Sequence, residues 1–172
     1  VGGHTHTHEV EQDGRRYNVD TGFIVFNDRT YPNFIALLDE LKVPSQASVM
    51  SFSVRDEYSG IEYSGSSLNT LFAQRRNLLR PSFLRMIRDI LRFNREAPTL
   101  LDRDGDDTTL GDYLAAQRYS HAFIEHYIIP MGAAIWSNDP QKMQSFPTRY
   151  FVRFFHNHGM LTVDRRPQWR TI

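Results

Sequence analysis

The sequence predicts an α+β fold, with N-terminal β-hairpins followed by a mostly helical layer. Two observations carry this. The first third alternates apolar and polar residues around tight-turn dipeptides, whereas from Ser67 onward apolar residues recur at helical spacing. A third fixes the class as globular: hydrophobic residues make up 40% and charged residues 23%, enough to bury a core and too few charges for wholesale disorder.

At the start of the chain HTHTHEV alternates, Asp13-Gly14 is a tight-turn signal and RRYNVDTGFIVFN resumes with β-branched and aromatic residues, so a hairpin is expected. Thr30 and Pro32 mark a helix start for YPNFIALLDELKV, with Phe34, Leu37, Leu38 and Leu41 on one face and Pro44 as the stop. MSFSVRDEYSGIEYSG alternates on both sides of Ser59-Gly60 and reads as a second hairpin. SLNTLFAQRRNLL is a short helix ended by Pro81, and PSFLRMIRDILRFNREAPTLL a longer one ended near Pro98 or the acidic loop after it. Thr109 with Asp112 resembles a capping box and opens TLGDYLAAQRYSHAFIEHYII. Pro130-Met131-Gly132 is expected to interrupt that helix. Ser137 or Asp139 can cap a last helix through RYFVRFFHNHG, and the tail reads as extended.

Composition excludes several chemistries. No apolar run approaches the ~20 residues of a membrane span. There is no cysteine, which removes disulfides, zinc–thiolate sites and iron–sulfur clusters. Net charge is zero, so no global field draws nucleic acid, and no nucleic-acid partner is expected. Charge is unevenly spread, however. Arg75, Arg76, Arg80, Arg85, Arg88, Arg92 and Arg95 are opposed within their stretch by Asp89 alone. Over residues 82–96 the arginines follow helical spacing opposite Phe83, Ile87 and Ile90, a basic amphipathic helix suited to an anionic lipid surface.

His4, His6 and His8 face one side of a strand, a pattern that can hold a metal ion. No nearby carboxylate cluster completes such a site, so no metal is assigned. The glycine pair Gly2-Gly3 has another use. Glycines before a strand let the backbone approach a ligand and offer amides to phosphate or ribityl oxygens. Asp20 and Gly22 mark a second close approach, which suggests one extended ligand touched twice.

GGHTHTHEV with YNVDTGFIVFN resembles the FAD-binding stretch of the flavin-containing amine oxidase superfamily. Gly2 and Gly3 match its glycine pair, and Asp20-Thr21-Gly22 its D-x-G. The segments IEYSGSSLNTLFAQRRNLLRPSF, FIEHYIIPMGAAIWS, FPTRYFVRFFHNHGML and RPQWRTI are similar to a bacterial, amine oxidase-like branch of NAD/FAD-binding oxidoreductases, across essentially the whole chain. The resemblance implies an internal fragment that lacks the nucleotide-binding GxGxxG unit, with residues 1–30 a partial FAD-binding segment and 31–172 a substrate-side, cap-like α+β domain. It implies FAD as cofactor in the intact parent, contacted by Gly2, Gly3, His4, Thr5, Asp20, Thr21, Gly22, Phe23 and Ile24. His4 stands where most relatives have arginine, and Phe23 with Ile24 offers an apolar floor beside the flavin ring.

The implied reaction is hydride transfer to flavin from a C–N or C–C bond, with reoxidation by oxygen or another acceptor. A flavin carries its own redox chemistry, which explains why no acid–base dyad stands out; the catalytic residues stay unassigned. Tyr63, Tyr127 and Trp136 are candidate cavity residues, and Arg149 with Arg153, one helical turn apart, candidates for an anionic substrate. The isolated piece is expected to be inactive and to hold FAD weakly. Its expected partners are the missing nucleotide-binding half, a small-molecule or lipidic substrate and further copies of itself. The expected location is the cytoplasm, with peripheral contact with the inner membrane through Arg85, Arg88, Arg92 and Arg95. The alternative is a non-enzymatic binding module that uses the His4/His6/His8 strand for metal or the basic helix for anionic lipid.

Overall fold

The computed structural model describes residues 4–102, 108–162 and 166–172. The chain is α+β and divides into two compact units, one formed by residues 1–50 with 166–172 and the other by residues 51–165.

In the first unit, β1 (His6–Gln12) and β2 (Arg15–Gly22) pair antiparallel. Asp13 (φ 52°) and Gly14 (φ 72°) both take the left-handed conformation that a two-residue hairpin turn demands, so the Asp-Gly reading holds. The register sets His8 against Val19 and Val10 against Tyr17 on one face, with Thr7, Glu9, Asn18 and Asp20 on the other. It slips between His6 and Thr7, a bulge that re-aims the end of the hairpin. A three-stranded antiparallel sheet comes next, in the order β3 (Phe26–Asn27), β7 (Trp169–Thr171), β4 (Gln46–Ser48). Between β3 and β4 lies α1 (Pro32–Leu41), with proline in its first turn. Its end is set by left-handed Lys42 (φ 55°), two residues before the expected proline stop. Of the four residues expected on its inner face, Leu38 is buried and Phe34 packs on Phe26, while Leu37 and Leu41 remain exposed.

In the second unit, β5 (Ser53–Asp56) and β6 (Ile61–Ser64) form the second expected hairpin. α2 (Leu68–Leu71) is opened by a capping box in which Ser67 and Thr70 serve each other's backbone N–H. A 3₁₀ turn over Arg75–Leu79 leads into α3 (Pro81–Glu96). The core sits on this helix, where Phe83, Met86 and Phe93 are buried with Leu110, Leu114, Phe123, Ile128, Phe151 and Phe155.

The long helix expected from Thr109 is divided. Thr109 does cap α4 (Leu110–Ala116), its hydroxyl accepting the Asp112 N–H at 3.1 Å. Arg118 then turns left-handed (φ 54°) and Tyr119 N–H bonds back to the Leu114 carbonyl, so the helix closes. Ser120 caps a new one, α5 (His121–Phe123), and buried Asp89 on α3 accepts the Ser120 N–H at 2.9 Å.

Pro130, expected to interrupt the helix, causes no break. α5 passes through a π turn (Ile124–Ile128) directly into α6 (Ile129–Trp136), with the Ile129 N–H donating to the Ile124 carbonyl five residues back. A proline has no N–H for the carbonyl four residues earlier, here that of His126. Tyr63 supplies the missing donor from β6, its hydroxyl donating to the His126 carbonyl at 2.6 Å. After α6, Asp139 caps the short α7 (Pro140–Met143). α8 (Thr148–Asn157) then lays Phe151, Val152 and Phe155 into the core.

Candidate functional site

The first unit gathers a polar cross-strand contact, a strained turn and an exposed apolar edge over residues 4–31. Asp20 on β2 faces Thr7 on β1, and the Thr7 hydroxyl donates to its carboxylate at 2.7 Å. The Thr21 hydroxyl donates to the His6 carbonyl at 3.2 Å across the bulge. Gly22 is required there: a Cβ would fall 1.8 Å from the His4 carbonyl oxygen. The close approach marked by this glycine is therefore made by the chain's own backbone.

Phe23 comes next with φ 54°, a left-handed conformation that costs a bulky residue of order 1–3 kcal/mol. Its ring meets Phe34 at 5.1 Å and Tyr31 at 5.9 Å, edge to face, which holds the turn. Phe23 is still 44% exposed and Ile24 52%. The Ile24 carbonyl accepts the Thr171 hydroxyl at 2.9 Å, tying this edge to β7. Burial raises the Tyr31 phenol above its ordinary value, so it stays protonated at neutral pH. Beneath the edge, buried Asn27 turns the chain toward α1 as its Oδ1 accepts the Arg29 and Thr30 N–H groups, both at 2.9 Å. Its Nδ2 is buried without a hydrogen-bond partner among the described residues.

Of the nine flavin-contact candidates, His4, Thr5, Asp20, Thr21, Gly22, Phe23 and Ile24 are arrayed around the hairpin end and the turn after it; Gly2 and Gly3 lie outside the described residues. The His6 and His8 rings meet edge to face at 4.3 Å, as strand alternation requires. Among the described residues no group of three or more His, Asp or Glu side chains is placed to hold a metal ion.

In the second unit Tyr63 and Tyr127 come together around the π turn. Tyr63 is 2% exposed, and burial, reinforced by Tyr127, holds its phenol well above the ordinary value. The Tyr127 ring stacks on Phe123 at 5.5 Å and meets Phe52 edge-on at 6.4 Å. His126 Nδ1 lies 3.4 Å from Asp56 Oδ2. That carboxyl is held below its ordinary value by the Ser59 hydroxyl and then the Tyr58 N–H. Trp136 packs instead among Phe146, Phe151 and Phe154. Arg149 is half-buried and Arg153 exposed on α8.

The arginines of α3 also divide. Arg85, Arg88 and Arg95 are exposed, together with Leu84 and Leu91. Arg92 turns inward: it donates to the Gln117 carbonyl at 2.9 Å and sits 3.9 Å over the Tyr119 ring. No helix among the described residues is long and apolar enough to cross a membrane.

Thr7 and Asn27 are the residues that sequence reasoning missed. Thr7 could have been found from strand register, since it lies opposite Asp20 once the Asp-Gly turn is fixed. Asn27 carries the signal of an Asx turn, an asparagine before Asp28-Arg29-Thr30 ahead of a helix. Residues 1–164 match the family described as flavin containing amine oxidoreductase. No curated protein matches the chain.

Proposed function

Because this chain belongs to the flavin-containing amine oxidoreductase family, we propose that its residues 1–30 form one rim of an FAD site and that residues 31–172 carry substrate-side surface. The reaction proposed is oxidation of a C–N or C–C bond by hydride transfer. The observation that carries the reading is the turn at Phe23. A bulky residue held left-handed is strained, and after Phe34 and Tyr31 have packed on it Phe23 still leaves, with Ile24, a part-exposed apolar edge open to a partner.

The residues present fit a flavin. Phe23 and Ile24 offer an apolar edge to a flat heteroaromatic ring, and the orphan Asn27 amide is a donor still seeking an acceptor. Asp20, fixed by Thr7, offers carboxylate oxygens to sugar or ribityl hydroxyls. The flavin supplies the redox chemistry when bound. The chain's part is to orient it and to keep water from the apolar edge. Pyrophosphate binding is assigned to a GxGxxG unit, a motif that does not occur in these 172 residues.

The test is the visible absorbance of the full-length protein, followed by analysis of the supernatant after denaturation. A flavin spectrum and released FAD are expected, and Ile24→Asp should lower flavin occupancy at least tenfold with circular dichroism unchanged. That factor corresponds to about 1.4 kcal/mol, less than the transfer cost of one buried aliphatic side chain. Colourless, folded protein that cannot take up added FAD would remove the proposal.

A second reading concerns location. Leu84 and Leu91 stand exposed among Arg85, Arg88 and Arg95, which supports peripheral contact with an anionic membrane. Anionic vesicles should retain the protein at low salt, and replacing the three exposed arginines should abolish retention. Equal retention by neutral vesicles would sink it.

A further inference from the structure

A second arginine feature lies apart from the exposed face of α3. The turn between β5 and β6 and the 3₁₀ turn before α3 enclose an open cleft of about 340 Å³, lined by Glu57, Tyr58, Ser59, Gly60, Arg76 and Arg80. That is near the lower end of small-molecule sites, which run ~300–1,000 Å³, and suits a small ligand or one chemical group of a larger one.

Both guanidinium groups are fixed before any ligand arrives. Arg76 Nη2 donates to the Gly60 carbonyl at 2.7 Å, and Arg80 Nη2 to the Ser59 carbonyl at 3.0 Å. Each uses one of its five N–H donors on the turn and keeps others for a partner. Arg80 Nη1 is buried and has no hydrogen-bond partner among the described residues. A buried, charged donor left unmatched is costly. No carboxylate among the described residues forms an ion pair with either arginine; Glu57 lines the cleft but stays unpaired. The neighbouring Asp56 is committed to Ser59 and Tyr58.

We propose that this cleft binds a phosphate-type oxyanion through Arg76 and Arg80. Two planar forks fixed on adjacent carbonyls present several N–H groups to one cleft, and guanidinium forks match tetrahedral oxyanions better than lysine does. The phosphate can be free or carried on a lipid headgroup, for the cleft is flanked by fully exposed Tyr58, and Leu79, 88% exposed, lies on the same turn as Arg76. Glu57 opposes the anion and sets its affinity low. The proposal stands without the flavin reading.

The test titrates the full-length protein with inorganic phosphate by calorimetry at low salt, and in parallel measures retention on vesicles of phosphatidate in phosphatidylcholine. Arg76→Ala should weaken binding at least tenfold. Arg80→Lys keeps the charge but loses the fork and should weaken it several-fold. Glu57→Gln should tighten it, a gain that misfolding cannot mimic. Binding of inorganic phosphate with these responses supports a soluble phosphate ligand. Retention on phosphatidate vesicles alone, with the same responses, supports a headgroup. Binding of neither probe, or binding indifferent to all three substitutions, overturns the proposal.

Discussion

Replacing Tyr63 by phenylalanine removes one oxygen atom from a side chain that is 2% exposed and leaves the His126 carbonyl without its 2.6 Å donor. In an ordinary helix the loss would be minor, because the N–H four residues on would still serve that carbonyl. Here that residue is Pro130. The carbonyl loses its donor from β6 beside the core, and an acceptor deprived of such a partner costs about 1–3 kcal/mol. Taking about 2 kcal/mol, and a shift of roughly 2–4 °C per kcal/mol for a chain of this size, Tm should fall by about 4–8 °C. The decisive comparison uses four proteins: wild type, Tyr63→Phe, Pro130→Ala and the double substitution, each unfolded in urea and followed by circular dichroism. Alanine at 130 restores an N–H that can reach the His126 carbonyl, so in that background Tyr63→Phe should cost no more than about 0.5 kcal/mol, a coupling of roughly 1.5 kcal/mol. An equal cost in both backgrounds would refute the reasoning.

Three further outcomes are expected. Gly22→Ala would drive a Cβ into the His4 backbone at 1.8 Å, where no side chain can yield; amide protection should fall across β1 and β2 by about 3 kcal/mol while that of α3 is unchanged, and undisturbed protection of β1 would contradict the placement of His4. Gly132→Ala meets Met143 Cε at 2.7 Å and Phe151 Cε2 at 3.0 Å; because the methionine end can move, the loss in urea stability should stay within roughly 1–3 kcal/mol, and a neutral result would show that α6 has room to shift. The Asp56 carboxyl titrates below its ordinary value, so its contribution is complete above the unfolded value of about 3.9 and is lost as pH falls through the folded one. Asp56→Asn should therefore flatten the acid limb of stability measured between about pH 6 and pH 2.5; parallel limbs would deny the Ser59 and Tyr58 hydrogen bonds their role.

Both hairpins were legible because their turns are local: Asp13-Gly14 and Ser59-Gly60 carry the chemistry that reverses a strand. The same holds for Thr109, whose side chain bonds a backbone group three residues away. Arg118 was not legible, since arginine carries no preference for the left-handed conformation and only Ser120 and buried Asp89 make a helix break there favourable. Pro130 misled for a related reason, its replacement donor standing on β6, far from it in sequence. The arginines of α3 share one spacing, yet Arg92 serves Gln117 and Tyr119 while Arg85 and Arg88 meet solvent. Helical periodicity finds the face of a residue but not the carbonyl its fork will reach. In the candidate site, Asp20-Thr21-Gly22 was readable as a place where the backbone must pass something closely. That the His4 carbonyl is what passes Gly22 depends on a strand bulge with no local signature.

The sheet order β3-β7-β4 has a consequence for synthesis. The central strand comes from residues 169–171, while its two neighbours have already been made before residue 50. On the ribosome those neighbours must wait through the whole of residues 51–165 without the strand that joins them. That second unit, whose hairpin and helices are complete within themselves, can fold during the interval. Released chains truncated before Trp169 should thus carry a protease-resistant second unit together with a first unit that is still open to cleavage. A pause or a chaperone acting late in translation would govern whether β3 and β4 find their own partner or that of another chain.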